Sequence, residues 1–317
     1  MTTPKYTFLL PAFKGKYLDE MLKSIKAQTY TDFKVLISDD CSPEDLRSIC
    51  EPYLSDPRFS YRRNEENMGS KSLVSHWNLL VDMCDTEYLI MASDDDVYEP
   101  QFLAEIDALV QKYPNVDLFR ARVRLIDGQG VSLSTDFQTE NFENQYKFLY
   151  TTFCQKRLMC IANYVFRKSA LKKNKGFVDF PLAWNSDDAT LLRMSEHGVG
   201  NTSNILFYFR KSGENISTTY NKIVLEKKAI ADLKFALYYE DFVNNINKPD
   251  NRSELRYLND FISNMNISIS NTLYEVSYLL NLSEMKKAYN FLKRTNRLRS
   301  KLQKMDYLWS WFRMRKC

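Results

Sequence analysis

Three consecutive carboxylates, Asp94, Asp95 and Asp96, follow the apolar run 88–92. That run has the length and composition of a buried strand, and open α/β sheets bind ligands where their strands end. Clustered carboxylates at such a position are costly unless a cation neutralises them. Oxygen ligands suit Mg²⁺ or Mn²⁺, which usually share them with the phosphates of a substrate. The alternative is an acidic turn before the next helix, with Pro100 in its first turn.

Two further acidic pairs stand at similar places in the chain. Asp39-Asp40 follows the apolar residues 33–38, and Asp187-Asp188 opens a helix predicted for residues 186–197. Singly, the first pair is equally consistent with a strand cap, and the second with acids that complement a helix dipole. Because all three acidic segments are predicted at the ligand-binding edge of one sheet, a shared site is favoured.

The first half of the chain alternates apolar runs with amphipathic stretches, which is typical of a mostly parallel α/β sheet flanked by helices. Strands are predicted at residues 6–12, 33–38, 59–63, 87–92, 116–125, 161–166 and 205–209. A helix is expected to begin at Ser42, with Pro43 first and Asp45 three residues on. Beyond about residue 221 the periodicity is helical. We therefore expect an α/β catalytic domain over residues 1–220 and a helical extension over residues 221–317.

Composition narrows the class of protein. The chain has 317 residues, of which 44% are hydrophobic and 26% charged, as in ordinary globular proteins. No signal-peptide pattern and no apolar run of about 20 residues is visible. Six cysteines without CxxC spacing, and only two histidines, argue against a disulfide framework or a structural zinc site. These features predict a cytoplasmic protein.

The positive charge is concentrated at one end. Residues 284–317 contain 11 Lys/Arg against two acids, about +9, which leaves −5 for the first 283 residues. An apolar stripe recurs there at helical spacing, at Phe291, Leu298, Leu302, Met305, Trp309 and Phe312. A basic amphipathic helix with tryptophans suits the inner face of the cell membrane, while packing on its own domain or on a second copy are the alternatives. Nucleic acid is not expected, because the remainder is acidic and no nucleic-acid-binding module is visible.

Several segments occur in the order and spacing of family-two glycosyltransferases, which have the GT-A fold. They are Pro11-Ala12-Phe13, Gln28-Thr29-Tyr30-Thr31-Asp32-Phe33, Asp39-Asp40-Cys41-Ser42, Asn67-Met68-Gly69, Ser93-Asp94-Asp95-Asp96, residues 163–171, and Asp187-Asp188 before Leu191-Leu192-Arg193. The resemblance covers residues 5–218. It implies an inverting enzyme that transfers a sugar from a nucleotide-diphosphate sugar, most simply a UDP-sugar, to a hydroxyl of a glycan or lipid-linked acceptor. Such enzymes build bacterial surface polysaccharides such as capsule, O-antigen or exopolysaccharide.

The resemblance also implies how the donor nucleotide is bound. Asp40, the second acid of the turn after the second strand, would accept a hydrogen bond from the base. Asp39 would support the ribose or order the turn. The end of the first strand would form the wall beside the base, through Pro11, Ala12 and Phe13.

Metal and base roles follow from the same resemblance. Asp95 is implied to be the direct metal ligand, with Asp96 assisting it and Asp94 contacting the nucleotide-sugar. Mn²⁺ or Mg²⁺ would neutralise charge on the departing diphosphate. Asp188 is implied to be the general base that takes the proton of the acceptor hydroxyl, and attack opposite the diphosphate inverts the anomeric centre.

Some positions depart from the family pattern or have a second interpretation. Lys14 stands where an Asn is usual, and Ser212 where a histidine often occurs, which leaves the metal one protein ligand fewer. Arg210 is expected to pair with the diphosphate. Trp184 is predicted either to stack on a sugar or to belong to the core, and His76 is interpreted as structural.

Two other enzyme classes and a non-catalytic function compete with this interpretation. A nucleotidyltransferase should have a Gly-rich, basic phosphate loop after the first strand, and residues 11–16 do not form one. A glycoside hydrolase needs two carboxylates but no nucleotide-binding turn. A membrane-associated scaffold that lost activity is disfavoured by the intact Asp40, Asp95 and Asp188, although Ser212 keeps it open.

Overall fold

The computed structural model describes residues 4–213 and 221–295, which form one mixed sheet, helices on both of its faces and three later helices. The strands are β1 (Tyr6–Ala12), β2 (Phe33–Asp39), β3 (Phe59–Arg63), β4 (Tyr88–Met91), β5 (Val97–Tyr98), β6 (Leu118–Asp127), β7 (Ser132–Thr135), β8 (Phe142–Glu143), β9 (Tyr164–Arg167) and β10 (Val199–Lys211). The helices are α1 (Leu18–Lys26), α2 (Leu46–Cys50), α3 (Gly69–Met83), α4 (Phe102–Lys112), α5 (Gln145–Leu149), α6 (Lys168–Lys173), α7 (Ser186–Met194), α8 (Lys222–Asn245), α9 (Arg252–Val276) and α10 (Leu282–Arg294).

The sheet has the strand order β3-β2-β1-β4-β9-β6-β10-β5. β1 is parallel to β2 and to β4, β2 to β3, and β6 to β10, while β9 runs antiparallel between β4 and β6. β5 and β8 pair antiparallel with β10, and β7 with β6. The predicted mostly parallel α/β sheet flanked by helices is thereby confirmed.

Parallel pairing brings the ends of β1, β2 and β4 to one edge of the sheet. The register aligns Ala12 with Asp39, and the Asp40 N–H donates to the Ala12 carbonyl at 2.8 Å. On the other side of β1, Leu9 aligns with Met91. The residues that follow these three strands, among them Asp94, are therefore neighbours, as the carboxyl-edge argument predicted.

The sheet separates two hydrophobic clusters. Phe8 and Leu10 point to the face covered by α1, α2 and α4, whereas Leu9 points to the face covered by α3 and α7. The second cluster continues without a break into α8, α9 and α10. The later helices therefore share one core with the sheet.

The start of α2 differs from the sequence prediction. The helix begins at Leu46 and is capped by Asp45, whose carboxylate accepts the Ser48 N–H at 3.1 Å. Ser42, the expected cap, accepts the Glu44 N–H at 3.1 Å and donates its hydroxyl to the Phe13 carbonyl at 2.6 Å. It therefore ties the turn before α2 to the end of β1 and does not cap the helix.

Two other predictions are changed by context. The strand expected at residues 161–166 is divided into a 3₁₀ turn at Ile161–Asn163 and the antiparallel β9. In the basic C-terminal stripe, Phe291 is fully buried in the core shared with α8 and α9. The remainder of that stripe falls in residues 296–317, outside the described residues. Over residues 4–213 and 221–295, no helix is both long and apolar enough to cross a membrane.

Substitution of Phe261 tests how strongly α9 is coupled to the sheet. Its ring lies 5.8 Å from the Tyr239 ring of α8 and 5.7 Å from the Phe153 ring, which belongs to the preceding half of the chain. We expect Phe261→Ala to lower the free energy of unfolding by about 3–5 kcal/mol in urea denaturation. Ile267→Ala, 40% exposed on the same helix, should change it by about 0.5 kcal/mol or less. Similar small losses for both would contradict this packing.

Candidate active site

Asp39 is completely buried and holds the turn that follows β2. Its Oδ1 accepts the Ser42 N–H at 2.8 Å, and its Oδ2 accepts from the Tyr61 hydroxyl and from Arg63 Nη1, each at 2.5 Å. Arg63 Nη2 also donates to the Ser42 carbonyl at 2.8 Å. Of the two roles that the sequence left open for Asp39, this geometry favours ordering of the turn.

Asp40 lies at the bottom of a cavity and connects the turn to the start of α3. Its Oδ1 accepts from Asn64 Nδ2 at 2.8 Å and from the Met68 N–H at 2.9 Å, and its Oδ2 accepts the Gly69 N–H at 2.7 Å. Buried His76 lies 3.6 Å from Oδ1, and burial lowers the pKa of its imidazole. A carboxylate has about four lone-pair positions, so these three bonds leave one for a ligand N–H.

Asp94 joins the end of β4 to the end of β1. Its Oδ2 accepts the backbone N–H groups of Phe13 at 2.9 Å and Lys14 at 2.8 Å. Burial raises the pKa of Asp94, and these two hydrogen bonds and the Lys14 charge oppose the rise. The carboxylate therefore fixes the backbone of the segment that was predicted to form the wall beside a nucleotide base.

Asp95 and Asp96 occupy different environments although they are adjacent. Burial, together with the charge of Asp94, raises the pKa of Asp95 to about 6. Asp96 is fully buried, and its Oδ1 accepts the backbone N–H of Arg210 at 2.8 Å. Burial and the Asp95 charge raise the pKa of Asp96 well above its usual range. Asp95 and Asp96 were both predicted as metal ligands. One carboxylate oxygen of Asp96 is bonded to the backbone of β10, so that oxygen serves a structural role.

Arg210 lies beneath the aspartates, not in the wall of the cavity that contains Asp40. Its Nε donates to the Asp95 carbonyl at 2.8 Å, and its Nη2 pairs with Glu20 at 2.7 Å. The guanidinium carbon stacks 4.5 Å from the Tyr17 ring, and the residue is only 2% exposed. Because the guanidinium is buried and already bonded to the Asp95 carbonyl and to Glu20, the position does not support the predicted contact with a diphosphate; Arg210 supports the loop of Asp95 instead.

Asp187 and Asp188 lie in the first turn of α7, after a strained segment. Leu182, Ala183 and Asn185 all have left-handed backbone conformations, with φ of 61°, 55° and 61°. Such conformations are costly for residues with a Cβ and cluster at functional sites. Burial, and then the charge of Asp187, raise the pKa of Asp188 well above its usual range.

α8 contributes two charged residues that the sequence analysis missed. Asp232 Oδ1 accepts from Trp184 Nε1 at 2.9 Å and from Asn185 Nδ2 at 2.8 Å, so it ties down the strained turn. Lys228 Nζ lies 4.4 Å from the Trp184 ring centroid. Asp232 lies four residues after Lys228 on α8. Buried Phe235 and Tyr239 lie seven and eleven residues after Lys228, so all four residues share one stripe of the helix. A charged i, i+4 pair on an apolar stripe is a signal that could have identified them.

These residues surround two adjoining cavities. One, of about 380 Å³, contains Asp40 and Asp94 and is walled by Pro11, Phe13, Lys14, Trp77, Ile161 and Leu182, among others. The other, of about 310 Å³, contains Asp188 and Asp232 and is walled by Met159, Asn185 and residues of α8 and α9. Segments 159–161 and 182–185 lie between the two, so each segment contributes to both walls.

Cys160 belongs to segment 159–161, which contributes to the walls of both cavities. After burial, which is the main cause, the charges of Asp96 and Asp187 both raise the pKa of Cys160. The cysteine lies between the two cavities and within electrostatic range of both carboxylates. Acids from the end of β4 and from α7 thus both influence this one thiol.

The resemblance to GT-A glycosyltransferases implies a divalent metal, which needs several oxygen ligands. Among the described residues, no three His, Cys, Asp or Glu side chains are grouped so as to hold an ion alone. Asp95 nevertheless offers carboxylate oxygens beside a repelling Asp94, and a cation would relieve that repulsion. Mg²⁺-type ions are commonly bound by one or two carboxylates plus substrate phosphates. The residues fit a metal that is shared with a diphosphate.

Two solved structures share this architecture. The TarS fragment 1–349 of Staphylococcus aureus, in complex with UDP-GlcNAc, has a TM-score of 0.58 at 17% identity, covering 93% of this chain and 91% of the fragment. The mannosyltransferase PcManGT of Pyrobaculum calidifontis, in complex with GDP-Man and Mn²⁺, has a TM-score of 0.56 at 12% identity, covering 96% and 83%. At these identities the likeness establishes the fold, which is the predicted GT-A fold.

Sequence similarity then assigns the family. Residues 7–174, more than half of the chain, match Glycosyl transferase family 2, so the chain belongs to that family and is a glycosyltransferase. A relative is the poly(ribitol-phosphate) β-N-acetylglucosaminyltransferase TarS of S. aureus, 23% identical over 227 residues. The match covers 68% of this chain and 37% of TarS, so the chain corresponds to well under half of that relative's length.

The contacts of Asp40 lead to a stability prediction. In Asp40→Asn, one of the two oxygens becomes an amide NH₂, which must face either the Gly69 N–H or the donors Asn64 and Met68. Leaving a buried donor without an acceptor should cost about 1–3 kcal/mol in the free energy of unfolding, measured in urea. Asp85→Asn, which breaks an exposed pair with Lys34, should cost about 1 kcal/mol or less. Equal losses would contradict the assigned contacts.

Proposed function

We propose that this glycosyltransferase transfers a sugar from a UDP-sugar to an acceptor hydroxyl, with inversion at the anomeric carbon. The observation that carries the proposal is the placement of Asp40 and Asp94 in one cavity and of Asp188 in the adjoining one. A donor in the first cavity would present its anomeric carbon toward the second. The two substrates would then meet at the wall formed by segments 159–161 and 182–185.

In this proposal the larger of the two cavities binds the nucleotide. The remaining lone pair of Asp40 accepts the ring N–H of the base, and the cavity wall at Pro11 and Phe13 packs beside the ring. Asp39 acts through the turn that it orders. The UDP-GlcNAc complex of the structurally similar TarS fragment supports UDP as the nucleotide.

Asp188 is the proposed general base. The ionised carboxylate takes the proton of the acceptor hydroxyl while that oxygen forms a bond to the anomeric carbon. The bond between the anomeric carbon and the diphosphate oxygen breaks, and nucleoside diphosphate leaves with the electron pair. Because attack and departure are on opposite faces, the configuration inverts. Asp232 positions the base, since it holds the turn at Trp184 and Asn185 from which α7 begins.

Asp95 is the residue proposed to hold Mn²⁺ or Mg²⁺, with Asp96 in a positioning role through β10. When bound, the ion would offset the negative charge that develops on the leaving diphosphate. Asp94 keeps the β1 segment in place through the N–H groups of Phe13 and Lys14. PcManGT, which binds GDP-Man and Mn²⁺, supports a divalent ion in this fold.

The acceptor is proposed to be a glycan or lipid-linked glycan of the bacterial surface. The named activity of TarS, on poly(ribitol-phosphate), supports a surface polymer as the acceptor class. We also propose the division into a catalytic domain, 1–220, and a helical extension, 221–317, that acts in the cytoplasm. Membrane contact or dimerisation through the basic C-terminal stripe stays a prediction, since residues 296–317 lie outside the described residues.

Donor turnover tests the proposed function. UDP-, GDP- and dTDP-sugars are screened by thermal shift with Mn²⁺, since a ligand that binds only the native state raises its stability. Release of nucleoside diphosphate from the selected donor is then measured. Asp188→Asn and Asp95→Ala should each lower kcat at least about 100-fold, the scale of general-base and electrostatic catalysis.

Asp82→Asn is the matched control, because this exposed carboxylate of α3 pairs with Lys172 outside both cavities. It should turn over like the unmodified protein. Full activity in both site variants would reject these roles for Asp188 and Asp95. Activity without any added divalent ion, unchanged by a chelator, would reject the metal.

The raised pKa of Asp188 predicts the pH dependence of kcat. The base works only when ionised, so activity should fall as pH drops through a pKa that burial and Asp187 hold above the usual carboxyl range. Asp187→Asn removes a neighbouring negative charge, lowers the pKa of Asp188 and should move the acidic limb of the kcat profile to lower pH. Asp82→Asn should leave the limb where it is. A limb that does not move in Asp187→Asn would contradict the assignment of Asp188 as base.

A further inference from the structure

A third cavity, of about 570 Å³, lies between the loop after β7, residues 137–140, and helix α9. Its size is within the general range of small-molecule sites. Three aromatic rings from separate elements converge on it: Phe137 from the loop after β7, Tyr150 from a π-helical turn, and Tyr257 from α9. We call the cavity the Tyr257 cleft.

The aromatic rings of the cleft are held in fixed positions. Phe137 is 37% exposed, yet its ring lies 5.7 Å from the guanidinium of Arg157, which is buried and paired with Glu143 at 2.9 Å. The Tyr150 and Tyr257 rings pack against each other at a tilt of 36°, with centroids 5.2 Å apart. Exposed apolar rings that are fixed before a ligand arrives reduce the entropic cost of binding.

The charges of the cleft cancel. Glu140 pairs with Lys147 at 2.6 Å, and the Glu143 carboxylate is neutralised by Arg157. Uncharged amide groups of Gln138 and Gln155 complete the lining. A cleft with no net charge has little attraction for a phosphate or an acidic polymer. Aromatic faces combined with amide hydrogen-bonding groups suit the apolar faces and hydroxyls of a neutral saccharide.

Helix α9 places this cleft in line with the Asp188 cavity. Tyr257 lines the cleft, and Ser268, eleven residues later, lines the cavity that contains Asp188. Eleven residues make about three helical turns, so both residues face the same side of α9, separated by about 16 Å along its axis. The two spaces also share a thin wall, since Thr151 faces the cleft and Thr152 faces the cavity.

We propose that the Tyr257 cleft is a second saccharide-binding site, which holds a neutral part of the acceptor chain next to the Asp188 cavity in which the hydroxyl reacts. Its assignment to the acceptor rests on the proposed function. Because the site is away from the chemistry, it would determine which chains are held and how long they must be. Binding at the cleft would thus favour acceptors that extend well beyond the reacting sugar.

Saturation-transfer NMR on the full chain tests the proposal directly. The probes are neutral tetrasaccharides of glucose, galactose and N-acetylglucosamine, added with saturating UDP and diamagnetic Mg²⁺ so that the donor cavity is filled. We expect saturation transfer to at least one probe, reduced at least about fivefold in Tyr257→Ala and in Phe137→Ala. Tyr257→Phe and Asp188→Asn should keep the signal. Tyr274→Ala, 39% exposed on the same helix outside the cleft, is the matched control and should keep it as well.

Three results would overturn the inference: no saturation transfer to any probe, a signal that survives both cleft variants, or a signal lost in Asp188→Asn. Phe137 lies in an exposed loop, so Phe137→Ala decides the case if Tyr257→Ala does not fold. UDP binding is measured by calorimetry on the same samples. UDP binding without saccharide binding rejects the cleft alone, whereas saccharide binding without binding of any nucleotide rejects the donor assignment and leaves the cleft.

Discussion

Burial of negative charge at the carboxyl edge of the sheet is the constraint on which the rest of this structure depends. The protein compensates for it mainly with backbone N–H groups and with only a few cations. Asp94 is held by the N–H groups of Phe13 and Lys14, and Asp96 by that of Arg210. Each of these hydrogen bonds also joins the loop after β4 to the end of β1 or β10. The same bonds therefore stabilise the buried carboxylates and align the ends of these strands.

The helical extension is part of the same arrangement. The turn before α7 contains three left-handed residues with side chains, and such a turn persists only when its surroundings hold it. α8 does so through Asp232, which accepts from Trp184 and Asn185. Because the core of the sheet continues into α8–α10, the position of the proposed base depends on helices that lie outside the nucleotide-binding half.

The sequence predicted the sheet and the acidic motifs because both are local signals: apolar runs with regular spacing, and acids directly after them. It could not predict which partner each polar group would choose. Ser42 has the sequence context of a helix cap but donates to Phe13, and Arg210 turns to Glu20 and a carbonyl beneath the loop instead of a substrate. Asp232 was missed because its partners are 47 and 48 residues away in sequence. Tertiary geometry alone decides such pairings.

Burial of the carboxylates that the proposed mechanism uses also lowers the stability of the fold when they are ionised. A carboxylate whose pKa is raised by folding binds protons more tightly in the native state than in the unfolded chain. Its contribution to stability therefore declines as pH rises from the unfolded pKa through the folded one, and above the folded pKa it is a full cost. Asp95 and Asp188 both have a pKa that is raised in this way.

Near neutral pH the proposed mechanism needs both of them ionised, which is the state that destabilises the fold. A donor and its cation would relieve part of that cost at Asp95, whereas Asp188 has to stay buried and ionised until it accepts the proton. The hydrogen bonds from Trp184 and Asn185 to Asp232 hold the turn from which this carboxylate is positioned.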